Sequence, residues 1–323
     1  MFVPEYTITS KTLKNIGLLE YGKSVIDNTV ILQSWEKQLE TQAKVDHLTS
    51  CAQLLDIPYT EDIIKKICSN VAINPPTQLL NVQKAYEFVL TNKYSKETNE
   101  EELKKLFQIL TATTKYRTKN IAGKTSPEEI LAEVVEFFDW INSLDAKEAH
   151  PVILAALTKA RLQQIAPFEK LNDLIADLMA LEVLQKAGYT FKNATTVVHY
   201  YAKGKHEYTK QFAQLIISNN DLTQWIEYFS EGLAMQVNST QDKIKLLAKD
   251  SKIAKATGRA RLTPRQEKIV EYIQDFGLFQ NKDFSLLFPD KSEDSILRDL
   301  KTLVALGIIQ KVGSTKSSRY ELK

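Results

Sequence analysis

The stretch "HPVILAALTKARLQQIAPFEKLNDLIADLM", residues His150–Met179, decides how this chain is interpreted. It predicts two apolar helices joined by a short turn. Pro151 suits the first position of a helix, where its fixed φ is favourable and its missing N–H loses no hydrogen bond. Apolar residues continue at helical spacing after the turn through Leu184, and Gly188 suits a helix C-terminus. The turn between the helices is therefore either an ordinary core connection or the remains of a functional loop.

Composition places the chain among globular, mostly helical proteins. Of its 323 residues, 43% are hydrophobic and 25% are charged, and glycine (10) and proline (9) are few for that length. The sequence has no apolar run of the roughly 20 residues that cross a bilayer, and "MFVPEYTITS" does not resemble a signal peptide. Two cysteines predict neither a disulfide framework nor a zinc site. We therefore expect a cytoplasmic protein with no membrane partner.

Charge is distributed unevenly along the chain. Residues 251–323 contain 14 Lys/Arg and 9 Asp/Glu, a net charge of +5, whereas the remaining residues contain 28 and 31, a net charge of −3. The basic C-terminal part favours an anionic partner, although the excess is too small to establish one. None of the four histidines stands at a metal-ligand spacing from Cys, Asp or Glu, so no metal site is expected.

Residues 1–110 predict an N-terminal helical region. Segments such as "NTVILQSWEKQLETQAKVDHLTSCAQLL" and "NPPTQLLNVQKAYEFVL" have apolar residues at helical spacing. Residues 111–250 form a second region, which opens with "TATTKYRTKNIAGKTSPEEI". Its β-forming residues and glycine predict a short irregular hairpin before the next helix.

The composition and the secondary-structure pattern of the sequence change in the C-terminal residues. Residues 251–261 are polar and basic and predict a linker. Residues 262–323 predict three short helices, in "TPRQEKIVEYIQDFG", "NKDFSLLF" and "SEDSILRDLKTLVALG", followed by strands in "IIQKV" and "SRYEL". Three helices and then a β-hairpin is the order of a winged helix-turn-helix domain.

Taken together, these segments resemble the Fic family. The stretch His150–Met179 is similar to the helix–loop–helix that carries the family motif H-P-F-x-[D/E]-G-N-G-R. "NVQKAYEFV", "TKYR" and "YTKQFAQLIISNNDLTQWIEYFSEGL" are similar to an early helix, the flap and later helices of that family. The resemblance implies a mainly α fold: a Fic-type helical bundle with a short β-hairpin flap, plus a small C-terminal winged-helix (α+β) domain. It also implies an activity, the transfer of AMP from ATP, with magnesium, to a protein hydroxyl.

Three residues of the loop match that motif. Pro167 and Phe168 match its proline and phenylalanine, and Asn172 matches its asparagine. Each also has a purely structural interpretation, which we favour. Phe168 would anchor the loop in the core, Pro167 would shape the turn, and Asn172 would cap the next helix.

Five motif positions are degenerate. Ala166 replaces the histidine, which the resemblance identifies as the general base, and Lys170 replaces the acidic residue that binds magnesium. Leu171 and Asp173 replace glycines that let backbone N–H groups approach phosphates, and Leu174 replaces the arginine that clamps them. The site is therefore expected to have no catalytic residue and no cofactor, with ATP and magnesium bound only if it is unexpectedly competent.

A second functional position of the family is also lost. Longer members carry an inhibitory helix, [S/T]-x-x-x-E-[G/N], whose glutamate pairs with the arginine of the motif. The best match is "SCAQLL", residues 50–55, in which Leu54 stands at the glutamate position. The same segment is equally interpreted as an ordinary core helix.

The C-terminal domain holds the remaining functional candidates. If it binds double-stranded DNA, "SEDSILRDLKTLV" is the recognition helix and the following hairpin is the wing. Glu293 and Asp294 at the start of that helix oppose phosphates, although either can accept a hydrogen bond from cytosine. The candidate DNA-binding residues are Ser295, Arg298, Lys301, Lys311, Lys316 and Arg319.

Three functions stay open at this point. The first is a Fic pseudoenzyme, without AMP-transferase residues, that binds DNA or regulates through its winged helix. The second is an active or residual nucleotide-binding adenylyltransferase. The third is a protein-binding adaptor or homo-oligomer that does not bind DNA. We favour the first, so we do not expect an enzyme.

Overall fold

The chain forms two compact units in the computed structural model, which describes residues 2–31, 33–69, 75–92, 97–217, 221–256, 262–313 and 318–322. The larger unit comprises Met1–Thr29 and Lys37–Ile244, and the smaller comprises Val30–Glu36 and Lys245–Lys323. In the described ranges, no helix is both long enough and apolar enough to span a membrane.

The larger unit is built from α-helices. In chain order the helices up to Ala256 are α1 (Ser10–Asn28), α2 (Gln33–Leu54), α3 (Glu61–Cys68), α4 (Thr77–Thr91), α5 (Glu100–Thr111), α6 (Ile130–Ile141), α7 (Leu144–Glu148), α8 (Pro151–Ile165), α9 (Asn172–Lys186), α10 (Val198–Lys203), α11 (Lys205–Ile217) and α12 (Thr223–Ala256). A 3₁₀ turn, Phe191–Asn193, precedes α10. The mainly α fold predicted from the sequence is confirmed.

Helices α8 and α9 form the centre of this unit and pack against each other. Every residue from 152 to 160 of α8 is buried, so this helix is enclosed on all sides rather than on one face. Helix α6 packs on α8, and α4 and α5 pack on α9. The consequence is that any charged side chain on α8 must find its partner inside the protein.

The start and end of α8 follow from local sequence. His150 is the N-cap residue: its Nδ1 accepts a hydrogen bond from the Val152 N–H at 3.2 Å, and Pro151 follows at the first helical position. At the other end Ala166 adopts the left-handed conformation that closes many helices, and its N–H donates to the Leu162 carbonyl. The predicted helix start at Pro151 is confirmed.

The predicted hairpin in residues 111–125 is not formed. Residues 112–129 contain no strand, and all of them are described. The backbone instead bonds to the α8–α9 connection: the Arg117 N–H donates to the Pro167 carbonyl at 2.9 Å, and the Thr125 N–H to the Gln164 carbonyl at 3.3 Å. The backbone of this segment bonds to a neighbouring loop rather than to itself, so its β-forming residues do not pair as strands.

The predicted inhibitory-helix segment is the last turn of α2. Leu54 is the final residue of that helix and is half-buried. Ser50 is buried, and its hydroxyl donates to the Asp46 carbonyl at 2.6 Å. These contacts are those of an ordinary core helix end.

The smaller unit contains α13 (Pro264–Phe276), β1 (Phe279–Gln280), α14 (Asn281–Leu287), α15 (Glu293–Ala305), β2 (Ile309–Val312) and β3 (Arg319–Leu322). The strands form an antiparallel sheet in the order β1-β3-β2. Its core consists of apolar side chains from all these elements, among them Ile269, Phe279, Phe284, Leu300, Leu303 and Tyr320. The three helices and the β2–β3 hairpin follow the predicted order, whereas β1 was not predicted, since two residues carry no periodic signal.

The stretch assigned to a linker is partly helical. Helix α12 continues to Ala256, so residues 251–256 belong to it, and residues 257–261 lie outside the described residues. Long helices with polar, lysine-rich ends resemble linkers in composition, which is why the sequence did not separate the two.

Candidate functional site

The connection between α8 and α9 begins and ends on a residue with left-handed backbone. Ala166 has φ of 46° and Leu171 has φ of 63°. This region favours glycine, because a Cβ atom there crowds the backbone. The chain therefore reverses direction over the four residues between them, 167–170, which join two packed helices.

The three residues that match the Fic motif hold this loop together. Phe168 is fully buried and stacks on Phe107, with ring centroids 3.9 Å apart. The Asn172 side chain bonds both polar groups of the Phe168 backbone: Oδ1 accepts from its N–H at 2.9 Å, and Nδ2 donates to its carbonyl at 2.7 Å. The Pro167 carbonyl accepts the Arg117 N–H.

Asn172 differs from its predicted role as a helix cap. Helix α9 begins at Asn172 itself, and Leu171 is the N-cap residue, without a side-chain hydrogen bond to the helix. The amide of Asn172 therefore braces the preceding loop instead of capping the following helix. An asparagine at this position can bond either to the backbone of the preceding loop or to the first N–H groups of the following helix. The sequence alone does not distinguish these two arrangements.

Sequence reasoning missed Arg117, which fastens the loop to residues 112–129. The guanidinium is buried and donates to four carbonyls: Nε to Ala166 at 2.7 Å, Nη1 to Lys119 at 2.8 Å, and Nη2 to Ile165 at 3.2 Å and to Thr125. The last carbonyls of a helix attract a cation, so Arg117 complements the C-terminus of α8. The "TKYR" segment held this residue, but its carbonyl partners come from different parts of the chain.

A buried ion-pair cluster lies directly beside the loop. Lys159 of α8 is 0% exposed, and its Nζ forms an ion pair with the Asp177 carboxylate and lies 3.3 Å from Asp173 Oδ1. Aromatic rings surround the ammonium: the centroids of Tyr201 and Tyr208 are 4.4 and 4.9 Å from Nζ. We call the residues Lys159, Asp173, Asp177, Tyr201, Tyr208 and Trp225 the Lys159 cluster.

The two carboxylates of the cluster differ in environment. Asp173 is partly exposed, and Oδ1 accepts hydrogen bonds from the Tyr208 hydroxyl and from Gln163 Nε2, the latter at 2.6 Å. Asp177 is buried, and burial raises its pKa to about 7, against the opposing effect of Lys159. The charged groups of this region are therefore paired with one another inside the protein.

The degenerate motif positions occupy varied environments. Ala166 and Leu174 are buried, Leu171 is half-buried, and Lys170 is exposed. Leu171 borders a groove of about 260 Å³, whose other lining residues are Leu55, Asp56, Ile57, Pro58, Gln78, Val82 and Leu110. None of these four motif residues supplies an acidic metal ligand or an imidazole base.

A second buried lysine lies at the end of α9. Lys186 Nζ is 2.6 Å from Glu102 Oε2 and 3.2 Å from Glu182 Oε1, and it also donates to the Glu97 carbonyl at 2.7 Å. Burial raises the pKa of Glu182 to about 7. This group connects α9 to α5 and resembles the Lys159 cluster in charge but not in its aromatic surroundings.

A histidine and a cysteine lie together in the core without forming a nucleophile. Cys51 Sγ is 3.4 Å from His47 Nε2, and His47 Nδ1 is 3.1 Å from the Thr196 hydroxyl oxygen. Burial lowers the pKa of His47 to about 3 and raises the pKa of the Cys51 thiol. Both groups are consequently neutral, whereas a thiolate nucleophile requires the opposite shifts.

The candidate DNA-binding residues lie in the smaller unit. Arg298 and Lys301 are exposed on α15, Ser295 is half-buried on the same helix, and Lys311 is exposed on β2. Arg319 is exposed on β3 and pairs with Glu321 at 2.7 Å, and Lys316 lies outside the described residues. Arg265 of α13 pairs with the buried Asp299 and is committed to the fold.

Comparison with known proteins identifies the fold. No protein-family model matches the sequence. A Fic family protein from Desulfovibrio desulfuricans is similar in structure over 100% of this chain and 98% of its own, with a TM-score of 0.67 and 14% identity. A Fic-domain-containing signalling protein from Bacteroides thetaiotaomicron matches 73% of this chain and 98% of its own, with a TM-score of 0.59 and 21% identity.

A third structure extends the likeness to an animal protein. Fic-1 from C. elegans matches 71% of this chain and 70% of its own, with a TM-score of 0.57 and 13% identity. Identities this low establish a shared backbone and not a shared activity. The chain has the fold of the Fic family proteins.

Proposed function

We propose that this protein is a catalytically silent relative of Fic proteins that regulates through DNA binding by its C-terminal unit. The observation that carries the first half is Asp173. Its carboxylate stands in the first turn of α9, the position at which the Fic resemblance implies bound phosphates, and it is already bonded to Tyr208, Gln163 and Lys159. An internal anion at this place repels a nucleotide phosphate and replaces it electrostatically.

The other losses act in the same direction. Ala166 cannot accept a proton from a target hydroxyl, and loss of a general base alone typically lowers rate about 10²–10⁴-fold. Lys170 brings a positive charge to the position of the magnesium ligand, and Leu174 brings an apolar side chain to that of the phosphate clamp. Because base, metal ligand and clamp are all absent from the motif positions, no single change restores the reaction.

The silent-site proposal is tested by titrating the full chain with ATP and magnesium in a calorimeter, and by incubation with labelled ATP and a cell extract. We expect no binding in the micromolar range and no labelled AMP on any protein. The Ala166→His variant is the matched control, and it should stay equally silent because the metal ligand and clamp are still missing. Micromolar ATP affinity or AMP transfer by the wild-type protein would overturn the proposal.

The second half of the proposal rests on the smaller unit. Its helices, β1 and the β2–β3 hairpin follow the order of a winged helix-turn-helix domain, with α15 as the recognition helix. Arg298 and Lys301 lie exposed on that helix, and Lys311 lies exposed on the hairpin, where cations meet backbone phosphates. Glu293 and Asp294 at the start of α15 disfavour tight non-specific binding and favour contact with cytosine amino groups.

Binding to double-stranded DNA should depend on salt. We expect log affinity to fall with log salt concentration, with a slope of about −0.9 for each phosphate contacted. The variants Arg298→Glu and Lys301→Glu should each weaken binding and reduce the slope. Lys268→Glu is the matched control, because Lys268 is also exposed and undergoes the same charge change but belongs to α13, neither to α15 nor to the hairpin. Equal effects at Lys268 and Lys301, or binding without salt dependence, would refute the DNA interface.

A protein-binding adaptor is the second candidate, and one observation favours it. Phe276 and Leu286 of the smaller unit are 67% and 74% exposed, which is high for large apolar side chains. In this case the chain would bind no DNA at any salt concentration, and Phe276→Ser would abolish capture of its partner. The salt titration therefore separates the two functions.

A further inference from the structure

Lys159 and Asp177 lie in contact on facing helices in the core of the larger unit. Lys159 belongs to α8 and Asp177 to α9, which pack against each other. Both side chains are buried, and the amine nitrogen contacts a carboxyl oxygen of Asp177. Such a contact also places the nitrogen beside the carboxyl carbon, Cγ, which is the atom that an amine attacks.

The surroundings favour the neutral form of the Asp177 carboxyl and exclude water from the pair. Tyr201, Tyr208 and Trp225 present rings whose centroids lie 4.4, 4.9 and 6.0 Å from Lys159 Nζ. A dry site destabilises a carboxylate relative to a carboxylic acid. The raised pKa of Asp177, caused by its burial, agrees with this.

A second carboxylate completes the arrangement. Asp173 Oδ1 lies 3.3 Å from Lys159 Nζ, one helical turn before Asp177. It is held in place by hydrogen bonds from Tyr208 and Gln163. A carboxylate at this distance can take a proton from the ammonium and return it to a leaving group, as general acid–base catalysis requires.

From this geometry we propose that Lys159 and Asp177 condense to an amide bond, an intramolecular isopeptide that joins α8 to α9 covalently, with Asp173 as the proton carrier. The Lys159 ammonium gives one proton to the Asp177 carboxylate, and the lone pair of the resulting amine attacks Cγ of the resulting acid. As the N–C bond forms, Asp173 takes a second proton from that nitrogen and passes it to the Asp177 hydroxyl, whose C–O bond breaks as water leaves. The overall change is an ammonium and a carboxylate to one amide and one water, with no oxidant or co-reactant.

Folding supplies the driving force for this step. Condensation of an amine and an acid is unfavourable between separate molecules in water, but two groups held in contact react as if at very high concentration. Expulsion of the released water from an apolar site opposes the reverse reaction. The reaction therefore follows folding and requires no partner.

The second buried lysine shows which features matter. Lys186 also contacts two carboxylates, but it donates to the Glu97 carbonyl and to both oxygens of Glu102 as well. Three hydrogen-bond acceptors occupy the three donors of its ammonium. Lys186 should consequently stay unmodified and serves as an internal control.

The test is the intact mass of the purified full chain, measured in denaturant after prolonged incubation at neutral pH. We expect the mass to be lower than the sequence predicts by one water molecule. Trypsin cannot cleave after an acylated lysine, so digestion should yield a branched peptide that joins residues 148–161 to residues 171–186. The peptide bond after Lys186 should be cleaved normally.

Two variants locate the reaction. Lys159→Met fills the same space without an amine, and Asp173→Asn keeps the shape of the proton carrier without its basicity. Both should show the full mass, with circular dichroism confirming that each is folded. A wild-type chain of full mass would overturn the proposal. A water loss that persists in Lys159→Met would overturn it as well, because the loss would then come from another site, such as a succinimide.

Discussion

The Lys159 cluster and the exposed face of α15 place charged residues on helices in opposite ways. In the cluster a lysine and two aspartates meet around one nitrogen, with Lys159 and Asp177 both buried. On α15 the cations Arg298 and Lys301 face solvent. Charges of the first kind are committed to the fold, because a buried charge must be paired inside the protein. Charges of the second kind are available to a binding partner, so they are the ones that can indicate a binding function.

The first prediction concerns the anchor of the loop beside the cluster. Phe168→Ala should lower the free energy of unfolding by about 3–5 kcal/mol, the usual cost of removing a buried phenylalanine side chain. The side chain is fully buried against Phe107. Urea denaturation followed by circular dichroism measures the change. Leu131→Ala on α6 is the control, since Leu131 is 54% exposed and its loss should cost less than about 1 kcal/mol. Equal costs would show that the loop is not anchored through Phe168.

Much of this region could be predicted from its residues. Apolar periodicity located α8 and α9, Pro151 marked the start of α8, and Phe168 was correctly assigned to the core. These predictions succeeded because each depends on neighbours within a few residues. The partners of Arg117 and Lys159 come from other segments of the chain, so local pattern could not supply them.

The second prediction uses a buried base elsewhere in the same unit. His47 stacks on Tyr86, with ring centroids 3.9 Å apart, and burial lowers its pKa to about 3 from 6.5. A base whose pKa is lower in the folded state stabilises the protein above pH 6.5, and this stability is lost as the pH falls toward 3. Between pH 7 and pH 5 the loss should be about 2 kcal/mol.

The contribution of His47 is isolated by difference. Unfolding is measured at several pH values for the wild type and for His47→Gln, which has no titrating ring. Glu182, whose pKa is raised, acts in the opposite direction but is present in both proteins. If the free energy of unfolding depends on pH equally in the two proteins, His47 does not have a lowered pKa in the folded protein. That result would contradict its burial against Tyr86.

The third prediction addresses the left-handed end of α8. Ala166 has φ of 46°, which costs an L-residue with a Cβ about 1–2 kcal/mol and glycine almost nothing. Ala166→Gly should therefore stabilise the protein by about 0.5–1 kcal/mol, after the greater flexibility of glycine in the unfolded chain is subtracted. Ala160→Gly is the control within α8, where helical backbone makes the same exchange destabilising by about 1 kcal/mol. Destabilisation at both positions would contradict the left-handed loop entry.

The last prediction concerns the exposed face of α15, where the smallest change in stability is expected. Arg298→Ala and Lys301→Ala together should alter the free energy of unfolding by less than about 0.5 kcal/mol, because both side chains face solvent. The same variant should show a weaker salt dependence of DNA binding if these cations meet phosphates. Loss of stability in this double variant would place Arg298 and Lys301 with Lys159 among the charges that serve the fold. Unchanged stability with weakened DNA binding would instead show that the cations of α15 serve binding, whereas the charges of the Lys159 cluster are paired within the fold.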